Sequence, residues 1–156
     1  MPDSQTILLP DGRKLGFADY GDPDGRPLFY CHGWPGSRLQ ARTIDGHGRR
    51  RGLRVIAPDR PGIGLSDPKP GRGFCDWPAD LAGLADSLGI DRFLLLGISG
   101  GGPYALAAAA LLPDRLDGVA VVSGAPPLDR RENRRDLHWT YRTLASVRHF
   151  RRAVLP

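Results

Sequence analysis

The chain has 156 residues, 40% of them hydrophobic and 25% charged, which suits one soluble globular domain with a real core and excludes overall disorder. Its net charge of +5 is unevenly spread: residues 1–128 carry 14 Lys+Arg and 14 Asp+Glu, whereas 129–156 carry eight Arg against three acids. The body is neutral and only the tail is basic, and no groove-reading motif or set of stacking aromatics accompanies that charge, so nucleic acid is not an expected partner.

The first residues, MPDSQTILLPDG, place an acid and no Lys or Arg before a short apolar patch, and no apolar run approaches the roughly 20 residues that span a bilayer. A cytoplasmic protein without a membrane partner is expected. TILLP and KLGFADYG flank the turn signal PDGR and predict an antiparallel hairpin. PLFYCHG (27–33), LRVIAPD (53–59), RFLLLG (92–97) and GVAVVSG (118–124) are continuous apolar runs of strand length, the pattern of strands covered on both faces. Cys31 lies in one of these runs, where a buried reduced thiol is the usual state. It and Cys75 are too few for a disulfide scaffold, and their spacing suggests no metal site.

Helical patterns separate the strands. Ser37 is placed to cap a helix running towards Arg49–Arg51 and ending by Gly52. Asp76 is placed to cap a second, with Trp77, Leu81, Leu84 and Leu88 at helical spacing and Gly89 as its stop. A third begins near Pro103 and is halted by Pro113. Alternating strands and helices imply an α/β fold with right-handed crossovers and a mostly parallel sheet. From Leu137 to Val154, Tyr141, Leu144, Val147 and Phe150 extend an apolar stripe with arginines mostly off it, which predicts a basic amphipathic helix.

The stretch FLLLGISGGGPYA holds one serine, Ser99, among Gly97, Gly100, Gly101 and Gly102. A helix-capping serine in a Gly-rich turn is one explanation. A dinucleotide turn is another, since Gly100–Ala105 fits G-x-G-x-x-A, but the following strand ends without the acid that would hold a ribose. The third is Gly-x-Ser-x-Gly between a strand and a helix: a serine at the tip of a sharp, strained turn, with Gly97 and Gly101 removing side chains that would collide there.

That last pattern resembles the nucleophile elbow of the α/β-hydrolases. HGWPGS, His32 to Ser37, is similar to the family's oxyanion loop, in particular to the HG-x-PG loop of proline iminopeptidase-like members, and DRPGIGLSD, Asp59 to Asp67, resembles its D-x-x-G-x-G-x-S segment. The resemblance implies Ser99 as nucleophile, the Trp34 and Gly100 amides as oxyanion donors, and a structural His32 that orients the loop. It also implies acyl chemistry on a small ester, thioester, lactone or amide, because the dehalogenase and epoxide hydrolase branches carry Asp at the elbow. No cofactor or metal is implied.

In this family the triad acid and histidine follow the serine in chain order. Asp129, His138 and His149 follow Ser99, but both histidines fall on the predicted amphipathic helix. Residues 1–128 are therefore expected to form the N-terminal part of the hydrolase core, 129–156 to begin its cap, and the fold to be truncated before its last strands. Weak or absent activity and an exposed sheet edge open to self-association would follow. The rival from another class is a non-catalytic binding protein on the same half-fold.

Overall fold

In the computed structural model of the chain, residues 3–125 are described, together with Arg135 and Trp139. The predicted hairpin forms from β1 (Gln5–Leu8) and β2 (Lys14–Gly21), with Gln5 opposite Phe17. Its turn is closed by the Leu9 N–H donating to the Arg13 carbonyl at 2.8 Å. The four apolar runs become β3 (Arg26–Cys31), β4 (Leu53–Pro58), β5 (Phe93–Ile98) and β6 (Leu116–Val122).

These make one six-stranded sheet in the order β1-β2-β4-β3-β5-β6. Pairing is parallel from β4 through β3 and β5 to β6, and antiparallel for β1 with β2 and for β2 with β4. The chain winds from β3 outwards to β4, then returns across β3 to β5 and continues outwards to β6. Strand order therefore reverses between β3 and β5, and the crevice beyond the carboxyl ends of two such strands is where α/β sheets place ligands. Cys31 is paired with Gly97 there, so His32 and Ser99 emerge side by side.

Alternation along the strands feeds two cores. Phe29, Cys31, Ile56, Phe93 and Leu95 join Trp77, Leu81, Leu84, Tyr104, Ala105 and Ala108 on one face, and Tyr20, Tyr30, Val55 and Ala57 join Ala41 on the other. β6 lacks the two covered faces that its apolar run suggests and instead forms the exposed sheet edge also expected. It is an edge strand with Val119, Val121 and Val122 exposed.

The first predicted helix is broken. Ser37 accepts the Leu39 N–H at 3.4 Å, but what it caps is a 3-10 segment, Arg38–Ile44, followed by a short α1 (Asp45–Arg50). Gly46 and Gly48 in DGHGRR weaken a continuous helix. The second helix, α2 (Trp77–Ser87), has the predicted extent, yet Asp76 does not cap it: its carboxylate accepts the Gly73 N–H at 2.7 Å and closes the preceding turn. α3 (Gly102–Leu111) follows a 3-10 turn, Ser99–Gly101. Of the tail, Arg135 and Trp139 are helical and exposed, and the remaining residues of the predicted amphipathic helix, with Asp129, His138 and His149, lie outside the described residues.

Candidate functional site

Ser99 sits where β5 turns into α3, with φ at +50°, in the left-handed region that L-residues with a side chain rarely adopt. Its carbonyl accepts the Ala125 N–H at 3.0 Å, which ties the elbow to the segment after β6. The flanking glycines are required for a reason different from collision at the serine itself. A Cβ on Gly101 would lie 2.0 Å from the Cys31 carbonyl oxygen, and one on Gly97 would lie 2.8 Å from the Ala105 Cβ. Both positions must be bare for α3 to seat against β3 and β5, and that close seating holds Ser99 at the tip.

The loop after β3 lies over this elbow. A Cβ on Gly33 would be 3.4 Å from the Ser99 Cβ, and one on Gly100 would be 3.2 Å from the Trp34 nitrogen. The turn carrying Ser99 and the HGWPG loop are thus in contact, with the Trp34 and Gly100 backbones adjacent. The Trp34–Pro35 peptide is cis.

His32 is fully buried. Its Nδ1 lies 2.9 Å from the Gly33 carbonyl oxygen and its Nε2 3.4 Å from the Arg60 backbone N–H. A carbonyl can only accept and an N–H can only donate, so the ring is neutral with its proton on Nδ1. Burial, reinforced by the Arg60 charge, pushes its pKa down to about 3. With both nitrogens engaged, His32 is not available as a base for Ser99. Cys31 beside it is also buried, accepts the Trp77 indole N–H at 3.4 Å, and has its thiol pushed up to about 11 by burial.

The DRPGIGLSD segment is built around Asp59. This carboxylate is fully buried and accepts from the Arg38 backbone N–H and guanidinium, each at 2.7 Å, and from the Leu65 N–H at 2.9 Å. The Ser66 hydroxyl donates to the Asp59 carbonyl at 2.8 Å and accepts from the Gly16 N–H at 2.9 Å, stitching the loop to β2. Arg60 is buried as well. Its guanidinium donates to the carbonyls of His32 and Gly33 and packs 4.8 Å above the Tyr104 ring.

The α/β hydrolase fold model matches residues 26–155. The chain belongs to the α/β-hydrolase family. Over 128 residues it is 36% identical to a non-heme chloroperoxidase of Streptomyces lividans, covering 79% of this chain and 45% of that relative. Over 143 residues it is 31% identical to a proline iminopeptidase of Xylella fastidiosa, covering 90% of this chain and 44% of that relative. An esterase structure from Exiguobacterium antarcticum superposes with a TM-score of 0.70 at 26% identity, covering 80% of this chain and 46% of that one. This α/β-hydrolase chain therefore spans less than half the length of these relatives. The names its relatives carry range over a peroxidase, a dehalogenase, an esterase and a peptidase, so family membership does not choose a substrate.

Sequence patterns identified Ser99, Trp34, Gly100, Gly97 and Gly101, and the structure brings all five together. They missed Arg60, Arg38 and Gln40, whose side-chain oxygen accepts the Gly33 N–H at 2.7 Å. A legible signal existed for Arg60 alone: an Arg-Pro step directly after the apolar run LRVIAP, where a charge had no evident partner.

Proposed function

We propose that this chain carries the nucleophile side of a serine acyl hydrolase, with Ser99 attacking the carbonyl of a small ester, thioester, lactone or amide and the Trp34 and Gly100 N–H groups holding the resulting oxyanion. The observation that carries the proposal is the strained Ser99, at φ +50°, on the strand-to-helix tip directly beneath the HGWPG loop. Such a turn sets the hydroxyl at the head of the 3-10 segment that leads into α3 and aims it into the crevice at the strand-order reversal, and the start of α3 favours negative charge there. The proton acceptor must come from beyond the described residues, since His32 is engaged and His47 lies exposed on α1 beside Arg50. A serine without a base beside it is a weak nucleophile.

No helix among the described residues is long and apolar enough to cross a membrane. A fluorophosphonate probe tests the proposal. Labelling that disappears in Ser99→Ala is the expected result, and folded wild-type protein that takes no label would remove Ser99 as a nucleophile.

A second, non-catalytic reading is favoured by β6, an edge strand whose Val119, Val121 and Val122 are 39%, 39% and 50% exposed. Unpaired apolar edges promote association. Sedimentation velocity should show concentration-dependent self-association that Val122→Lys suppresses, and a wild-type monomer at all concentrations would discard this role.

A further inference from the structure

Arg60 is a buried guanidinium, 4% exposed, and no carboxylate among the described residues forms an ion pair with it. The adjacent Asp59 is taken by Arg38. A buried charge without a counter-ion is unfavourable unless its donors are spent on something worth holding. Here they are spent on two consecutive carbonyls of one loop: Nη1 reaches the His32 oxygen, and Nη2 reaches the Gly33 oxygen at 3.1 Å. The Gly33 oxygen takes a second bond from the His32 Nδ1–H at 2.9 Å, while the Gly33 N–H is held by the Gln40 side chain at 2.7 Å. The Tyr104 ring beneath Arg60 fixes the plane of the fork.

The peptide these bonds immobilise is the one that presents the Trp34 N–H. The Gly33–Trp34 bond is trans, and in a trans peptide the N–H of one residue points opposite to the carbonyl of the residue before it. With the Gly33 carbonyl bound on the Arg60 side, the Trp34 N–H is turned to the other side. The Trp34 nitrogen lies 3.2 Å from where a Gly100 Cβ would stand. Glycine at 33 leaves this peptide otherwise free to rotate.

We propose that Arg60 is a positioning residue that fixes the Gly33–Trp34 peptide with its N–H facing the Ser99 elbow, so that one of the two oxyanion donors exists only while the guanidinium grips the His32 and Gly33 carbonyls. This rests on the assignment of Trp34 as an oxyanion donor. The role is separate from any contact with substrate, because Arg60 is covered by the loop it holds.

The deciding comparison is between crystal structures of the wild-type chain and Arg60→Met, which fills the space without donors. In the variant the Gly33–Trp34 peptide should be rotated or split between two orientations; an unchanged peptide beside an ordered methionine side chain at position 60 would overturn the proposal. Should the methionine variant not fold, Arg60→Lys, which keeps the charge but lacks the fork that spans two carbonyls, takes its place and is judged by the same peptide. The second readout uses the fluorophosphonate adduct. In wild type both the Trp34 and Gly100 amide proton resonances should move downfield on adduct formation, and in the Arg60 variant only Gly100 should move, with labelling slowed by about 10²-fold, the loss of one oxyanion donor. A Trp34 resonance that moves equally in both would overturn the proposal. If wild-type protein forms no adduct, it is the nucleophile assignment that fails, and the peptide orientation in the two crystal structures still decides the role of Arg60.

Discussion

Gly64 lies against the Asp59 carboxylate so closely that a Cβ at position 64 would stand 2.1 Å from Oδ2, and the residue also has φ at +55°. Each fact alone demands glycine. Together they explain the spacing of DRPGIGLSD: the chain must curl back over Asp59 for the Leu65 N–H and the Ser66 hydroxyl to reach it. Gly64→Ala should therefore lower stability by about 3 kcal/mol, combining left-handed strain with overpacking. Urea unfolding checks this, and a loss below about 1 kcal/mol would show that the loop yields freely.

Asp59→Asn tests the same hub from the charge side. The variant leaves the Arg38 guanidinium, itself nearly buried, without its carboxylate at 2.7 Å. Breaking one partner of a buried pair costs about 3 to 5 kcal/mol. Asp19→Asn, opposite an Arg54 whose side chain is 25% exposed and so better solvated than Arg38, provides the contrast, with a smaller expected loss of about 1 kcal/mol.

Acid should destabilise the chain through His32 before its carboxylates matter. The unfolded chain protonates this imidazole near its ordinary 6.5, whereas the folded chain holds it neutral to about 3. Protons are then bound preferentially by the unfolded state between those values, so the full contribution is present above pH 6.5 and is lost as the pH falls through the window. Well inside it the slope approaches about 1.4 kcal/mol per pH unit. Asp45 and Asp76, both held below 3.8 chiefly by backbone N–H donors, act lower down. Urea midpoints between pH 6.5 and 4.5 should fall steeply in wild type and much less in His32→Gln; parallel slopes would mean that His32 takes a proton without unfolding.

The two cysteines should behave oppositely towards a thiol reagent. Cys75 is exposed, whereas Cys31 is buried with its thiol pushed up to about 11, and the thiolate is the reactive form. Ellman's reagent at pH 8 should titrate one thiol in the folded chain and two after addition of denaturant. Rapid modification of both in the folded state would contradict the burial of Cys31.

The strands and the elbow were legible because each is written locally: an apolar run ending in a turn, or two glycines around a serine. Gly-x-Ser-x-Gly marks the turn and the need for bare positions at Gly97 and Gly101, although the reason for them, close approach to Ala105 and to the Cys31 carbonyl, appears only in the packing. What escaped the sequence is long-range. Arg60 acts on His32 and Gly33, and Asp59 on Arg38, across 21 to 28 residues, and nothing near either one names its partner. The Asp76 cap was misassigned for a related reason: a carboxylate before a helix can satisfy the turn behind it as readily as the helix ahead, and only the path of Gly73–Asp76 decides. The exposed edge at β6 was legible by another route: GVAVVSG is as apolar as FLLLGI, and it is the resemblance, with its further strands after this run, that marks it as the edge, where the sheet order places it.

Ser99 itself offers a test of strain that is independent of catalysis. A left-handed backbone costs a residue with a Cβ about 1 to 2 kcal/mol, a penalty that glycine avoids and alanine does not. Ser99→Ala removes the hydroxyl and keeps the strain at φ +50°. Ser99→Gly removes both, although its looser unfolded chain returns about 0.5 to 1 kcal/mol of the gain. The glycine variant should accordingly be the more stable of the two by about 1 kcal/mol, measured as a shift in urea midpoint at constant slope, while both are equally unreactive to a fluorophosphonate. The opposite order of stability would place Ser99 in an ordinary right-handed turn, and with it would go the geometric argument for an elbow at this position. Ser123, also at φ +50° and two residues before Ala125, whose N–H binds the Ser99 carbonyl, repeats the strain test outside the Gly-x-Ser-x-Gly pattern: Ser123→Gly should be more stable than Ser123→Ala by a similar margin.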